Sequence, residues 1–220
     1  MGASGRPVKG NLASACLLNR EALTRRFTPK VPTNMDTADL VRQALMYFVL
    51  PLWLAAGFAD YLCHRAAHIE RTSGVKESLL HLLQFAEMGV PILAALLLEI
   101  NALVILLMIV CFLLHEATAL WDVSYASQTR EVTPLEQHIH SFLEMLPLMG
   151  LLLVSVLHWD QFISLFGFAP ADFSITLKRA PLPWTYIVTV LAGVLLFEVL
   201  PYLEELWRGL RHRRKTPPAL

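Results

Sequence analysis

Acidic and histidine side chains recur at helical spacing in four separate stretches of the sequence. Partners separated by four or seven residues lie on one face of a helix. The pairs are Asp60 with His64, Glu77 with His81, His115 with Asp122, and Glu136 with His140. Imidazole and carboxylate groups together bind first-row metals such as iron, zinc and manganese. The spacing therefore predicts a metal site to which four helices contribute.

His68 lies one helical turn after His64 and completes a candidate ligand set of five histidines and four acids. This set exceeds what one tetrahedral zinc requires. It is large enough for two metal ions, with additional acids that orient the imidazoles. We expect a bound metal ion, with iron favoured and two ions allowed. Zinc is an alternative, and so is a haem held by two facing histidines, although haem does not require the acids.

Several of these residues also have ordinary structural roles open to them. Thr133, Pro134 and Glu136 have the spacing of a capping box at a helix start, so Glu136 is either a cap or a ligand. His138 is two residues from His140 and points to another face of the helix. Asp60 has Arg65 and Lys76 nearby and Glu77 has Arg71, and such surface pairs contribute little. Co-facial spacing in four helices is what favours the metal interpretation.

The elements that must position these residues are predicted to be membrane helices. Hydrophobic residues make up 55% of the 220 residues and charged residues only 16%, whereas charged residues are usually about a quarter of a soluble protein. Each apolar run, extended into its polar flank, reaches the roughly 20 residues that a membrane-spanning helix needs. The predicted spans lie near 40–69, 75–99, 101–125, 134–158 and 183–207.

An alternating topology places the candidate ligands of the first four spans toward one membrane face. Ionisable groups in or near a bilayer usually face the interior of a helix bundle, and bundles build metal sites from inward-facing acids and histidines. The predicted fold class is therefore an all-α polytopic membrane helix bundle of about five spans, in which four spans form a polar site near one face. The fifth span is expected to be peripheral.

The two chain ends are basic and are predicted to flank one membrane domain over 36–207. Residues 1–34 are read as a disordered basic tail, or as the product of a start codon placed too early, and 208–220 as a basic cytoplasmic tail. Positive residues near spans favour the cytoplasm, so the carboxyl terminus and the polar site are expected there, at the inner membrane if the protein is bacterial. The formal net charge of zero gives no indication of a nucleic-acid partner.

The segment "HRAAH", from His64 to His68, resembles the HxxxH box of the membrane-bound di-iron hydroxylase and desaturase superfamily. The chain lacks the adjacent histidine pair of that family's HxxHH-type boxes, and "HIH" at 138–140 is a poor substitute. The resemblance implies oxygen activation at two irons, a lipid or other apolar substrate, and an electron-donor protein. His64 and His68 are the ligands that it implies, whereas the other candidates rest on spacing.

The leading functional hypothesis is a membrane metal-dependent oxidoreductase of the hydroxylase or desaturase type. A b-type haem cytochrome, a metal or proton transport protein and a non-catalytic membrane scaffold remain alternatives. A transport pathway would have to cross the membrane, whereas the predicted polar set stays near one face. Nucleotide-binding and serine-hydrolase motifs are missing from the sequence, so those classes have no support.

Overall fold

A computed structural model describes residues 36–215, together with Gly2, and within these residues the fold is helical. Five long helices are α1 (Thr37–Ala66), α2 (Val75–Leu97), α3 (Ala102–Thr129), α4 (Pro134–Leu157) and α6 (Trp184–Lys215). A short helix, α5 (Trp159–Ser164), follows α4. The five long helices are long and apolar enough to cross a membrane. The predicted all-α bundle of five spans is confirmed.

The helix ends differ from the predicted ends by a few residues, for local reasons. α1 stops at Ala66 rather than 69 because His68 adopts a left-handed conformation, with φ of 51°. The chain then makes a short 3₁₀ turn at Ile69–Arg71 before α2. α6 continues to Lys215, so the first part of the predicted basic tail is helical. The prediction of a disordered tail over 1–34 lies outside the described residues, Gly2 apart.

Side chains cap the amino termini of α3 and α4. The Asn101 side chain accepts a hydrogen bond from the backbone N–H of Val104 at 3.2 Å, at the start of α3. The Thr133 hydroxyl accepts one from the backbone N–H of Glu136 at 3.2 Å, with Pro134 at the first helical position. Both arrangements satisfy N–H groups that have no partner inside their helix. The cap at Thr133 also fixes the backbone position of Glu136.

Two spans contain a wider π-helical turn followed by a proline. In α1 the turn covers Leu45–Val49 and Pro51 follows, and in α6 it covers Leu195–Val199 and Pro201 follows. Proline has no N–H to continue the hydrogen-bond ladder, and a π turn is one local adjustment to that gap. The turn in α6 contains the buried Glu198.

The packing order places α6 inside the polar region of the bundle. α2 packs against α3, α1 against α4, and the second half of α6 against α1 and α2. The expectation that the fifth span is peripheral is therefore wrong, because its carboxyl-terminal half fills the groove between the first two spans. The large apolar side chains on the outer faces, such as Leu120 and Val156, are exposed, as side chains that contact lipid would be.

Candidate metal centre

Acidic and histidine side chains from all five spans meet in one buried region, within about two helical turns of the ends of α1 to α4. His81 and His140 each lie six residues after the start of their helix, about 9 Å into the bundle. We define the histidine–carboxylate cluster as Asp60, His64, Glu77, His81, Asp122, Arg130, Glu136, His140 and Glu205. Apart from Arg130 and His140, each member is at most 5% exposed. In both of these exceptions the side chain is still largely buried.

Glu205 of α6 organises the centre of the cluster by bonding two imidazoles. One carboxylate oxygen lies 3.1 Å from Nδ1 of His64 and the other lies 2.9 Å from Nδ1 of His81. The two rings are stacked, with centroids 4.2 Å apart and planes 6° from parallel. Because a carboxylate only accepts hydrogen bonds, we assign the Nδ1 proton to both rings. Their Nε2 atoms are then left with free lone pairs.

These free Nε2 atoms face carboxylate oxygens at short range. Nε2 of His64 lies 3.4 Å from Asp60 Oδ2 and 3.5 Å from Glu136 Oε1. Nε2 of His81 lies 3.1 Å from Asp122 Oδ2. Neither nitrogen forms a hydrogen bond. With the assigned tautomers, lone pairs point at lone pairs, which is unfavourable unless a proton or a metal cation lies between them.

His140 meets the same region from the opposite helix. Its Nε2 lies 2.9 Å from Asp60 Oδ1, and neither atom has a hydrogen-bond partner. Ligand atoms about 2.0–2.2 Å from one ion are separated from each other by about 3.0–3.6 Å. The separations within the cluster are close to this range. Buried polar atoms that approach each other without hydrogen-bonding geometry are what an ion-binding shell would show.

Two overlapping ligand sets are present, and they share His64. Asp60, His64, Glu136 and His140 each offer a ligand atom within 4.8 Å of those of the others, and so do His64, Glu77 and His81. Asp122 lies beside the second set through its contact with His81. The donor types fit iron, zinc or manganese. Either set could hold a metal ion.

Arg130 bridges two of the acids at the edge of the cluster. Its guanidinium bonds to Glu77, at 2.5 Å for the Nη2–Oε1 pair, and to both oxygens of Glu136. Burial opposes the charge on Arg130, but the hydrogen bonds with Glu136 and Glu77 outweigh it and hold the pKa of Arg130 well above its ordinary value. Glu136 thus faces both Arg130 and His64, while its backbone N–H completes the predicted cap with Thr133.

The cluster carries more negative than positive charge. Its five carboxylates face one guanidinium, so with neutral imidazoles the net charge is −4. An uncompensated charge of this size inside a bundle is very costly, and buried charges are normally paired or bind metals. Two divalent cations would neutralise it completely. The charge balance is thus compatible with bound cations.

The structure brings together seven of the nine predicted site residues: Asp60, His64, Glu77, His81, Asp122, Glu136 and His140. His68 lies apart, with a side chain 62% exposed and 3.5 Å from Glu70, because the helix ends before it. His115 is buried, but it is seven residues from Asp122 along α3, about 10 Å deeper in the bundle. It belongs to neither ligand set.

Glu205 and Arg130 are the two cluster residues that the candidate ligand set omits. A signal for Glu205 exists in the sequence, because Glu198, Tyr202 and Glu205 form one stripe of a helix at spacings of four and three. All three side chains are buried, and the Tyr202 hydroxyl bonds to the Gly57 carbonyl at 3.1 Å. Arg130 lies in a loop and has no periodic signal of this kind.

A cavity of about 230 Å³ opens from the cluster into the apolar part of the bundle. At the cluster it is lined by Asp60, His81, Asp122 and His140, and deeper in the bundle its wall is mainly apolar. The deeper wall also contains polar residues, among them Gln84, His115, Glu144 and Glu198. Both ring nitrogens of His115 and one oxygen of Glu198 have no hydrogen-bond partner. The cavity thus connects the cluster with the apolar interior of the bundle.

Comparison with protein-family models, with curated proteins and with solved structures returns no match to this chain.

Proposed function

We propose that this protein is an integral-membrane oxidoreductase whose histidine–carboxylate cluster binds two metal ions and acts on an apolar substrate. One observation supports it above the others. The Nε2 atoms of His64, His81 and His140 approach carboxylate oxygens at 2.9–3.4 Å without hydrogen-bonding to them. A cation shared by each group would turn these unfavourable contacts into ligand contacts.

Some residues of the cluster would bind the ions, and others would position those ligands. Asp60, His64, Glu136 and His140 would hold one ion, and His81 with Glu77 and Asp122 would hold the other. Glu205 fixes both central imidazoles in one orientation, as outer-shell carboxylates do at metal sites. Arg130 holds Glu77 and Glu136 in place and reduces their repulsion. When bound, iron would supply the activation of dioxygen that the hydroxylase and desaturase resemblance implies.

Iron is the metal that we favour, because mixed imidazole and carboxylate ligands on bundle helices are typical of dinuclear iron sites. The resemblance to the di-iron hydroxylase and desaturase superfamily depends on the pair His64 and His68, and the His68 side chain faces Glu70 and the exterior. The choice of iron therefore depends on the ligand types and not on that motif. Zinc fits the donor types, but the ligands outnumber those of one tetrahedral zinc. A haem between His64 and His81 is not favoured, since these rings stack on each other.

The cavity supports the choice of an apolar substrate taken from the lipid bilayer. Electrons for the reaction would come from a donor protein at the membrane face nearest the cluster. That face carries Arg71, Arg211, Arg213, Arg214 and Lys215. An excess of positive charge beside the spans favours the cytoplasmic side, so we place this face and the carboxyl terminus there.

Metal analysis of the purified protein tests the proposal. The protein is extracted in mild detergent, stripped with chelator, reloaded anaerobically with ferrous iron, and assayed for bound metal by elemental analysis. We expect about two ions per chain, and in His64→Ala a loss of the ion that Asp60, His64, Glu136 and His140 would hold. His138→Ala is the matched control, because its ring packs on Phe142 outside the cluster. A stoichiometry near zero in folded wild-type protein would refute the proposal.

Cation transport is the second candidate function, and one feature favours it. His115, Glu144 and Glu198 continue the line of polar groups from the cluster deeper into the bundle, and ionisable residues inside a membrane often mark an ion pathway. Flux of ferrous or zinc ions into proteoliposomes distinguishes the two functions. Transport abolished by both His81→Ala and His115→Ala would favour it over the oxidoreductase, whereas tightly retained ions and no flux would favour the oxidoreductase.

A further inference from the structure

The cavity beside the cluster extends far along the bundle. Along α2 its wall runs from His81 to Leu96 through Phe85, Met88 and Gly89. His81 and Leu96 are fifteen residues apart, which is about 22 Å of helix and more than half of the roughly 30 Å hydrocarbon core. A volume of about 230 Å³ over such a length leaves room for an unbranched chain rather than for a fused ring system.

The deeper part of the cavity opens toward the membrane. Leu93 of α2 and Leu191 of α6 both line it, and their side chains are 45% and 42% exposed at the outer surface of the bundle. Leu93 lies twelve residues from His81, about 18 Å along the helix. This opening is therefore at the depth of the hydrocarbon core. A ligand would enter from the bilayer and not from water.

The charged groups on the wall exclude an anionic ligand. Among the described residues that line the cavity, the carboxyl-bearing side chains are Asp60, Asp122, Glu144 and Glu198, and no lysine or arginine is present. A carboxylate or phosphate in the deeper part of this space would meet Glu144 and Glu198 without a neighbouring lysine or arginine, in a medium where such contacts are very costly. The part of the ligand that fills the cavity is therefore uncharged.

Gly89 lies on the wall between the opening and the cluster. It is eight residues from His81, about 12 Å along α2. A Cβ placed on Gly89 would have no heavy atom within 4 Å, so a larger side chain there has room to enter the cavity. The absence of a side chain at this position keeps the route from Leu93 to the cluster open.

We propose that this cavity binds an uncharged, unbranched aliphatic chain, that the chain enters from the bilayer between α2 and α6, and that Gly89 keeps its path to the cluster open. The inference rests on the proposed function only in treating the bound aliphatic molecule as a substrate. Binding itself depends on the cavity, so it is measured separately from metal loading. Two sources share this chemistry, a free long-chain alcohol or alkane and the acyl chain of a membrane lipid whose head group stays outside.

Photolabelling tests the proposal. The full chain, with metal and after chelation, is placed in phosphatidylcholine nanodiscs with a long-chain alcohol that carries a terminal diazirine. We expect labelling of α2 between Phe85 and Leu96, reduced by unlabelled hexadecanol but not by hexadecanoate or cholesterol. Equal competition by hexadecanoate or by cholesterol would overturn the proposal, and this arm requires no variant. Labelling that persists after chelation would show that the cavity binds the probe without metal. A failure of the metal site can then be distinguished from a failure of the cavity.

A pair of glycine variants tests the role of Gly89. Excluding even two methylene groups weakens binding roughly tenfold, so Gly89→Phe should reduce labelling at least about tenfold. Gly150→Phe is the matched control, because Gly150 is also a helical glycine with open space around its Cβ but does not line the cavity. Unchanged labelling in Gly89→Phe, or an equal loss in both variants, would overturn the assignment.

Identification of the molecule that copurifies with the protein distinguishes the two sources. Lipid is extracted from wild-type protein and from Gly89→Phe and identified by mass spectrometry. A phospholipid that is depleted in the variant assigns the cavity to an acyl chain of the bilayer, and a depleted free alcohol or hydrocarbon assigns it to the free molecule. Both results support chain binding, whereas a depleted anionic or ring-containing molecule contradicts it.

Discussion

Replacing Glu205 with glutamine tests whether the central carboxylate serves a metal site. Each Glu205 oxygen bonds one imidazole, at 3.1 Å for His64 and 2.9 Å for His81. Glutamine keeps the shape and one acceptor, but it presents an amide donor to the other ring. One imidazole then loses the partner that sets its orientation and tautomer. Loss of such a partner typically lowers metal affinity about 10- to 100-fold, or about 1.4–2.7 kcal/mol.

The assay is competition between the reloaded protein and a chelator of known affinity, followed by elemental analysis. Glu204→Gln is the matched control, because Glu204 is the neighbouring acid on α6 and bonds to Tyr61 and Arg208 rather than to the imidazoles. Thermal unfolding of the metal-free variants checks that both are folded. An unchanged affinity in Glu205→Gln, or the same loss in Glu204→Gln, would show that Glu205 does not orient metal ligands.

Four more outcomes are expected. Arg130→Gln leaves two buried carboxylates without their shared cation, so it should lower the unfolding free energy by about 3–5 kcal/mol, and bound metal should recover part of this loss in the same thermal assay. Gly57→Ala brings a Cβ against the Glu198 carboxylate and should lower the free energy of unfolding by about 1–3 kcal/mol. The loss should be smaller when Glu198→Ala is added. An equal loss in the double variant would refute the contact. His68→Ala should keep wild-type metal content while His64→Ala loses an ion, and equal loss would restore His68 to the ligand set. Metal affinity should fall as the pH is lowered, because protons compete for the ligand atoms, and titration calorimetry in two buffers should detect the released protons.

The sequence was sufficient to locate most of the cluster, because its signals are local and periodic. An acid and a histidine four residues apart must share a helix face, and the apolar runs determine at which membrane level that face lies. Asp60 with His64 and Glu77 with His81 follow from this reasoning. The all-α five-span fold follows from the same apolar runs.

The same periodicity was misleading where a helix ended or where position along the helix mattered. His68 has the spacing of a ligand, but the chain leaves the helix after Ala66 and turns its side chain away. His115 and Asp122 share a face, yet seven residues separate them by about 10 Å along the axis. Spacing determines the face of a helix but not the depth at which a site forms.

The sequence by itself determined the number of spans, their apolar outer faces and the helix stripes that carry acids and histidines. Only the tertiary structure decided which stripes meet. It brought Glu205 of the fifth span into hydrogen bonds with both His64 and His81. It also placed Arg130, a loop residue, between Glu77 and Glu136. The physical reason is that periodicity acts within one helix, whereas the neighbours of a helix depend on how all of the helices pack and on where buried charge is neutralised.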